Sequence, residues 1–289
     1  MCIMSFEPLH AFKRKVPDYA NLSSEQKAIR QRSLLTSLFL CKPNKDYQPP
    51  RNFMYMSKAI TETIDCPMAV NIAGKIEPNC SKLIKETVKT RFEVVPAVCN
   101  TYGHCAIKVI RANISDLEPL LEHPILDVKI LHLIRDPRGM FRSWWPSLSN
   151  NVSAAVEILR ANVKIHCADQ LKNLVQGNSL RLRAPSSYRR VRYEDLAAAP
   201  VESAKQLYDF VGLPELPPSV YEWLDVNTQG KVSGNQTSKV YRFGTFRKDS
   251  NATATAWMDA LPPRVIKIIE EHCYEFMLMA GYKPCYTRQ

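Results

Sequence analysis

At positions 131–145 the chain reads LHLIRDPRGMFRSWW, a segment whose residue types suit the grip of a phosphate. Arg135 offers a planar fork of N–H donors that matches a phosphate edge, and Ser143 offers a hydroxyl. Asp136 is suited to cap a helix. Pro137 is suited to its first turn, because proline lacks the amide hydrogen that would go unpaired there. Ser143 lies seven residues beyond Asp136, two helical turns on and so on the same face, with Gly139 keeping that face low between them. An ordinary capped helix with surface arginines also accounts for Asp136 and Pro137, though not for the arginine-to-serine spacing.

Such a site needs a strand to deliver it. The apolar run 128–134 (VKILHLI) reads as a buried parallel strand, as does 105–110 (CAIKVI). Arg135 then stands at the carboxyl end of a strand, the edge at which open α/β sheets bind ligands, and the helix start adds free amides and a positive dipole end. Segments 24–40, 151–174, 201–211 and 264–279 read as helices. Strands alternating with helices predict α/β layers around a parallel sheet.

With 289 residues, 45% hydrophobic and 23% charged, the chain is expected to form one globular domain over 1–289. Its longest nearly apolar stretch, LLTSLFLC at 34–41, falls far short of the roughly 20 residues of a membrane-spanning helix. The opening MCIMSFEPLHAFKRK has no secretory-signal pattern. No internal repeat or low-complexity tract is present.

A net charge of +11 favours anionic partners. Arg181, Arg183, Arg189, Arg190 and Arg192 concentrate positive charge, yet only Tyr188 and Tyr193 are aromatic nearby and no nucleic-acid module accompanies them. Nucleic acid is therefore not an expected partner, and the run reads as a solvated face leading into a strand.

Nine cysteines are many for a cytosolic enzyme, and no two close pairs provide a zinc site. Cys99 and Cys105, either side of His104, form a disulfide or remain two inert thiols; no metal is expected. Asn-x-Ser/Thr triplets begin at Asn21, Asn79, Asn113, Asn151, Asn235 and Asn251, against about two expected by chance. Cysteines and triplets together favour a secretory-pathway lumen.

The segment RDPRGMFRS at 135–143, following an apolar strand, resembles the 3′-phosphate-binding motif of the Golgi carbohydrate sulfotransferases, particularly the group that sulfates C6 of galactose, N-acetylglucosamine or N-acetylgalactosamine. FEPLH at 6–10, IKVIR at 107–111, RYEDLAAAP at 192–200, FGTFRKDSNATATAWMDAL at 243–261 and the closing helix with Cys273 and Gly281-Tyr282 resemble that family in the same order.

The resemblance implies a fold related to P-loop kinases, with a central parallel sheet flanked by helices. It implies transfer of a sulfuryl group from 3′-phosphoadenosine 5′-phosphosulfate (PAPS) to a sugar hydroxyl of a glycan, with no metal required. Its 3′-phosphate site covers Arg135, Asp136, Pro137, Arg138, Gly139, Met140, Phe141, Arg142 and Ser143, joined by Arg247 and Lys248 from a late loop. A solvated turn is the alternative for that basic pair. Glu7 stands where the family places its catalytic acidic residue, and His10 competes as the base. Lys108 and Arg111 are expected to meet an acidic acceptor or the sulfonate. The family's first strand, its RSGSSFL-like 5′-phosphosulfate loop and its N-terminal membrane anchor have no counterpart in the sequence. The expectation is a Golgi-lumen, type II protein beginning part-way into its domain. The alternative is a catalytically incompetent remnant that retains a 3′-phosphonucleotide or acidic-glycan site.

Overall fold

The computed structural model describes residues 2–6, 9, 18–42, 66–74, 78–90, 99, 101–145, 152–230 and 246–286. The chain folds as two compact units, Met1–Val128 and Lys129–Gln289.

In the first unit, strand β1 (Cys2–Phe6) is followed by helices α1 (Ser24–Phe39), α2 (Cys66–Ala73) and α3 (Cys80–Thr90), strand β2 (His104–Lys108) and the short helix α4 (Ile114–Leu117). β1 and β2 run parallel, in register from Cys2 with His104 to Phe6 with Lys108. α1 starts at Ser23 because two backbone amides are satisfied reciprocally: the Ser23 hydroxyl accepts the Gln26 amide, and the Gln26 side chain accepts that of Ser23. Its apolar face buries Leu34, Leu35 and Leu38. Cys99 is disulfide-bonded to Cys41, not to Cys105. The short spacing that suggested a local pairing is overridden by the fold, which sets the Cys99 sulfur against the end of α1.

The second unit comprises β3 (Ile130–Ile134), α5 (Pro137–Arg142), α6 (Val152–Arg183), β4 (Tyr188–Arg192), α7 (Tyr193–Ala198), α8 (Pro200–Phe210), α9 (Pro218–Gln229), α10 (Ser250–Thr255), α11 (Trp257–Ala260) and α12 (Pro263–Ala280). β3 and β4 are parallel, from Ile130 with Tyr188 to Ile134 with Arg192. Both strands therefore end at the same level. Arg135 leaves one and Arg192 closes the other.

Helices α6 and α12 pack on each other and hold the core, with Leu159, Val163, Val265, Ile269, Phe276 and Met277 buried, together with Ile134 of β3 and Phe141 of α5. The Cys167–Cys273 disulfide links these two helices. Where α6 passes β3 and β4, Gly177 leaves room for a side chain from the sheet. A Cβ there would collide with the Tyr188 hydroxyl and lie 2.7 Å from its Cζ. That hydroxyl is 2.8 Å from His132 Nδ1.

The expected helices and both expected strands are present. β1 and the helices α2, α3, α4, α7, α9, α10 and α11 are additional, and α6 continues to Arg183, well beyond the 151–174 expected from periodicity. Among the described residues no helix is long and apolar enough to cross a membrane.

Candidate functional site

The RDPR turn connects β3 to α5 and is held from below by ion pairs. The Asp136 side chain caps α5 by accepting the Arg138 amide at 2.9 Å, as the sequence predicts, and it also accepts the Arg138 guanidinium at 2.7 Å. Arg138 reaches on to Glu270 of α12 at 2.6 Å and to the Lys283 carbonyl at 3.1 Å. Its guanidinium lies 3.9 Å from the centre of the Trp257 ring. Glu270 spends its remaining acceptor capacity on the amides of Cys285 and Tyr286. Asp136, Arg138 and Glu270 are all buried. Burial disfavours the charged form of Arg138, but hydrogen bonds and charge from Asp136 and then Glu270 outweigh it and hold its pKa above the ordinary value.

A second tie comes from the β4–α7 junction. The Glu194 carboxylate accepts the Asp136 amide at 3.0 Å through one oxygen and the Tyr282 hydroxyl at 2.7 Å through the other. Burial and the Glu194 charge push the Tyr282 phenol well above its usual pKa, so it stays a donor. Arg192 lies over the same tyrosine, 4.5 Å from its ring centre. The expectation of free amides at the α5 start is therefore corrected for its first positions. Pro137 has none, Arg138 donates to Asp136, and Asp136 donates to Glu194. With these amides engaged, recognition of an anion here draws on side chains.

Arg135 is placed for that task. Its guanidinium stacks 4.3 Å from the Tyr193 ring centre, and its Nε is buried with no hydrogen-bond partner among the described residues. A Cβ at Gly139 would stand 3.6 Å from that Nε and 3.5 Å from the Ala254 carbonyl, so glycine keeps the arginine stem and α10 close without being sterically obligatory. Ser143 is the exposed residue ending α5, its hydroxyl donating to the Met140 carbonyl at 2.7 Å. Phe141 is buried in the core, while Met140 and Arg142 are half-buried.

The late basic pair belongs to the same unit. Asp249 caps α10 by accepting the Ala252 amide at 2.8 Å, and the Ser250 hydroxyl donates to the Ala197 carbonyl of α7 at 2.6 Å. Arg247 donates its amide to the Asn227 carbonyl at the end of α9. Arg247 and Lys248 thus lead into a helix fixed against α7 at one end and against Gly139 at the other. Lys108, the last residue of β2, and Arg111 are exposed in the first unit. Glu7 and His10 lie outside the described residues. Among the described residues no three His, Cys, Asp or Glu side chains are grouped to hold a metal ion.

Glu194, Glu270 and Tyr282 were not singled out by sequence reasoning. Glu194 and Tyr282 sit in segments that carry the family resemblance, RYEDL and Gly281-Tyr282, but nothing local marks either as a partner of Asp136.

A family model described as the sulfotransferase domain matches residues 117–281, more than half of the chain. Human carbohydrate sulfotransferase 6 is 30% identical over 285 residues, covering 89% of this chain and 69% of that protein. The chain belongs to the carbohydrate sulfotransferase family. Human carbohydrate sulfotransferase 5 is 30% identical over 89% of this chain and 66% of its own length, and human carbohydrate sulfotransferase 3 is 26% identical over 96% and 61%. The sulfotransferase chain spans roughly two thirds of the length of these relatives. Membership makes it a sulfotransferase by resemblance, and its parallel strands flanked by helices are those of the sulfotransferase α/β fold.

Proposed function

We propose that this sulfotransferase moves a sulfuryl group from PAPS to a sugar hydroxyl of a glycan, at C6 of galactose, N-acetylglucosamine or N-acetylgalactosamine. The observation that carries the reading is Arg135. Its side chain leaves a parallel strand at the carboxyl edge, sets its guanidinium over the Tyr193 ring, and keeps a buried Nε unpaired among the described residues. An orphaned donor in that position fits a phosphate oxygen.

In this reading Arg135 holds the 3′-phosphate of the donor, with the Ser143 hydroxyl turning from the Met140 carbonyl to donate from a second side. Arg247 and Lys248 add positive charge over the same group. The buried partners Asp136, Arg138 and Glu270 fix the turn that aims Arg135, and Phe141 anchors it in the core. Glu7, or His10 in its place, takes the proton of the acceptor hydroxyl as its oxygen bonds to sulfur. The sulfur–oxygen bond to the phosphate breaks, and adenosine 3′,5′-bisphosphate leaves. Lys108 and Arg111 bind acidic groups of the acceptor or the sulfonate. The family match crosses from the first unit into the second, which supports one sulfotransferase domain built from both. Disulfides at Cys41–Cys99 and Cys167–Cys273 support an oxidising lumen such as that of the Golgi.

The test is transfer of radiolabelled sulfate from PAPS onto galactose-, N-acetylglucosamine- and N-acetylgalactosamine-terminated acceptors, with the sulfated carbon located by NMR. Label at C6 that disappears in Arg135→Ala is expected. Absence of label on every acceptor, or an Arg135→Ala variant as active as the wild type, overturns the reading.

A further inference from the structure

The arginine run preceding the Glu194 junction forms a concave site that sulfuryl transfer does not use. A cavity of about 350 Å³ is lined by Arg181, Pro185, Tyr188, Arg189, Arg190 and Phe210, from the end of α6, the start of β4 and the end of α8. Arg189 and Arg190 stand three and two residues before Arg192 on β4, about 10 and 7 Å along the strand.

Three features make this more than a solvated face. No carboxylate lines the cavity, and among the described residues no salt bridge reaches Arg181, Arg189 or Arg190. Three arginines therefore border one hollow with no carboxylate among its lining residues. Two of them are pre-positioned: Arg189 donates to the Gln206 carbonyl at 2.8 Å and Arg190 to the Asn178 side chain at 3.3 Å. The field reaches the groups beneath, since Arg190 adds to the burial that lowers His132, and Arg190 and Arg181 both oppose the burial that raises Tyr188.

Aromatic availability decides the class of anion. Tyr188 is buried, and Phe210 has both Lys129 and Arg189 against its ring at about 6 Å. The cavity thus offers a base one half-buried ring already flanked by two cations, where nucleic-acid binding calls for open stacking platforms. Sulfate and carboxylate groups need only the forked donors that are present.

We infer that the cavity between Arg181, Arg189 and Arg190 is a second binding site, for a sulfated or carboxylated stretch of polysaccharide, that does not include Arg135. The choice of a glycan rests on sulfuryl transfer to a sugar; the cavity does not.

Calorimetric titration of the full chain with a chondroitin 6-sulfate hexasaccharide at physiological salt tests it. Arg181 is exposed, so Arg181→Ala leaves the fold intact. That variant and Arg190→Ala are each expected to weaken binding about tenfold, the scale of one lost charge-assisted contact. Arg183→Ala, an equal charge change outside the cavity, and Arg135→Ala are expected to bind as the wild type does. Unchanged affinity in Arg181→Ala, an equal loss in Arg183→Ala, a loss in Arg135→Ala, or displacement by single-stranded DNA of equal charge at equal concentration each overturns the inference. A chain that transfers no sulfate but shows the Arg181 pattern keeps the site and loses only the enzymatic reading.

Discussion

The Glu194 carboxylate accepts the Asp136 amide at 3.0 Å across 58 residues of sequence, and the same carboxylate accepts the Tyr282 hydroxyl at 2.7 Å. One side chain thereby fixes the strand-to-helix turn to the end of α12. Tyr282→Phe removes only the second bond and should cost about 1.5–3 kcal/mol, the range for a hydrogen bond to a charged group. Glu194→Ala should cost more, because the Asp136 amide is then left without its acceptor. Chemical denaturation checks the stabilities. Affinity for adenosine 3′,5′-bisphosphate should fall more in Glu194→Ala than in Tyr282→Phe, and the reverse order would separate the tie from the binding turn.

Arg138 is buried between two carboxylates, Asp136 and Glu270. Glu270→Gln keeps the shape but removes one of the two charges facing Arg138. Loss of about 3–5 kcal/mol of stability is expected, as for other broken buried ion pairs. Arg138→Met leaves two carboxylates uncompensated and should be at least as harmful. Urea unfolding midpoints measure both, and a change below about 1 kcal/mol in Glu270→Gln would show that the charge is not needed.

Gly177→Ala places a methyl group against the Tyr188 hydroxyl, with Tyr188 itself buried and unable to swing away. Overpacking of this kind costs about 1–3 kcal/mol. The melting temperature should drop accordingly. Tyr188→Phe introduced into the alanine variant should recover part of the loss by removing the colliding oxygen.

His132 titrates at about 4, below its ordinary value of 6.5, because of burial and then the Arg190 charge. Between those values the unfolded chain binds a proton that the folded chain refuses. Stability therefore falls as pH drops from about 6.5 to about 4, by roughly 3 kcal/mol in all. Burial also lowers His166 and His272, so part of the slope persists without His132. Denaturation midpoints across this range should be visibly flatter in His132→Gln; an unchanged slope would assign the effect to the other two.

The strand before Arg135, the Asp136 cap and the Pro137 position were legible because each is decided by neighbours within a few residues. Helices α1, α8 and α12 were legible for the same reason, having caps or apolar periodicity of their own. α6 was foreshortened because Gly177, Asn178 and Ser179 weaken its intrinsic signal, while packing against α12, β3 and β4 sustains the helix. The supports of the motif were not legible. Glu194, Glu270 and Tyr282 meet Asp136 and Arg138 only through tertiary packing, and a pattern confined to a short window cannot register a bond across 58 or 132 positions. Cys99 failed for that reason too, since its partner Cys41 is 58 residues away. The arginine run was seen but not its concavity, which arises only where the ends of α6 and α8 meet the start of β4.

The side-chain contacts of Arg138 also set an order of events during synthesis. Beyond its local partner Asp136, its hydrogen bonds lie 132, 145 and 147 positions downstream. A nascent chain that has already emitted the RDPR motif still lacks Glu270 and the Lys283 carbonyl, so the turn stays uncompensated until translation has passed α12. Folding from the N-terminus onward can form β3 early, but it cannot finish the motif early. A ribosome stalled between residues 143 and 270 would expose a complete signature sequence with no competent phosphate grip, and release of the later segment would act as the maturation step.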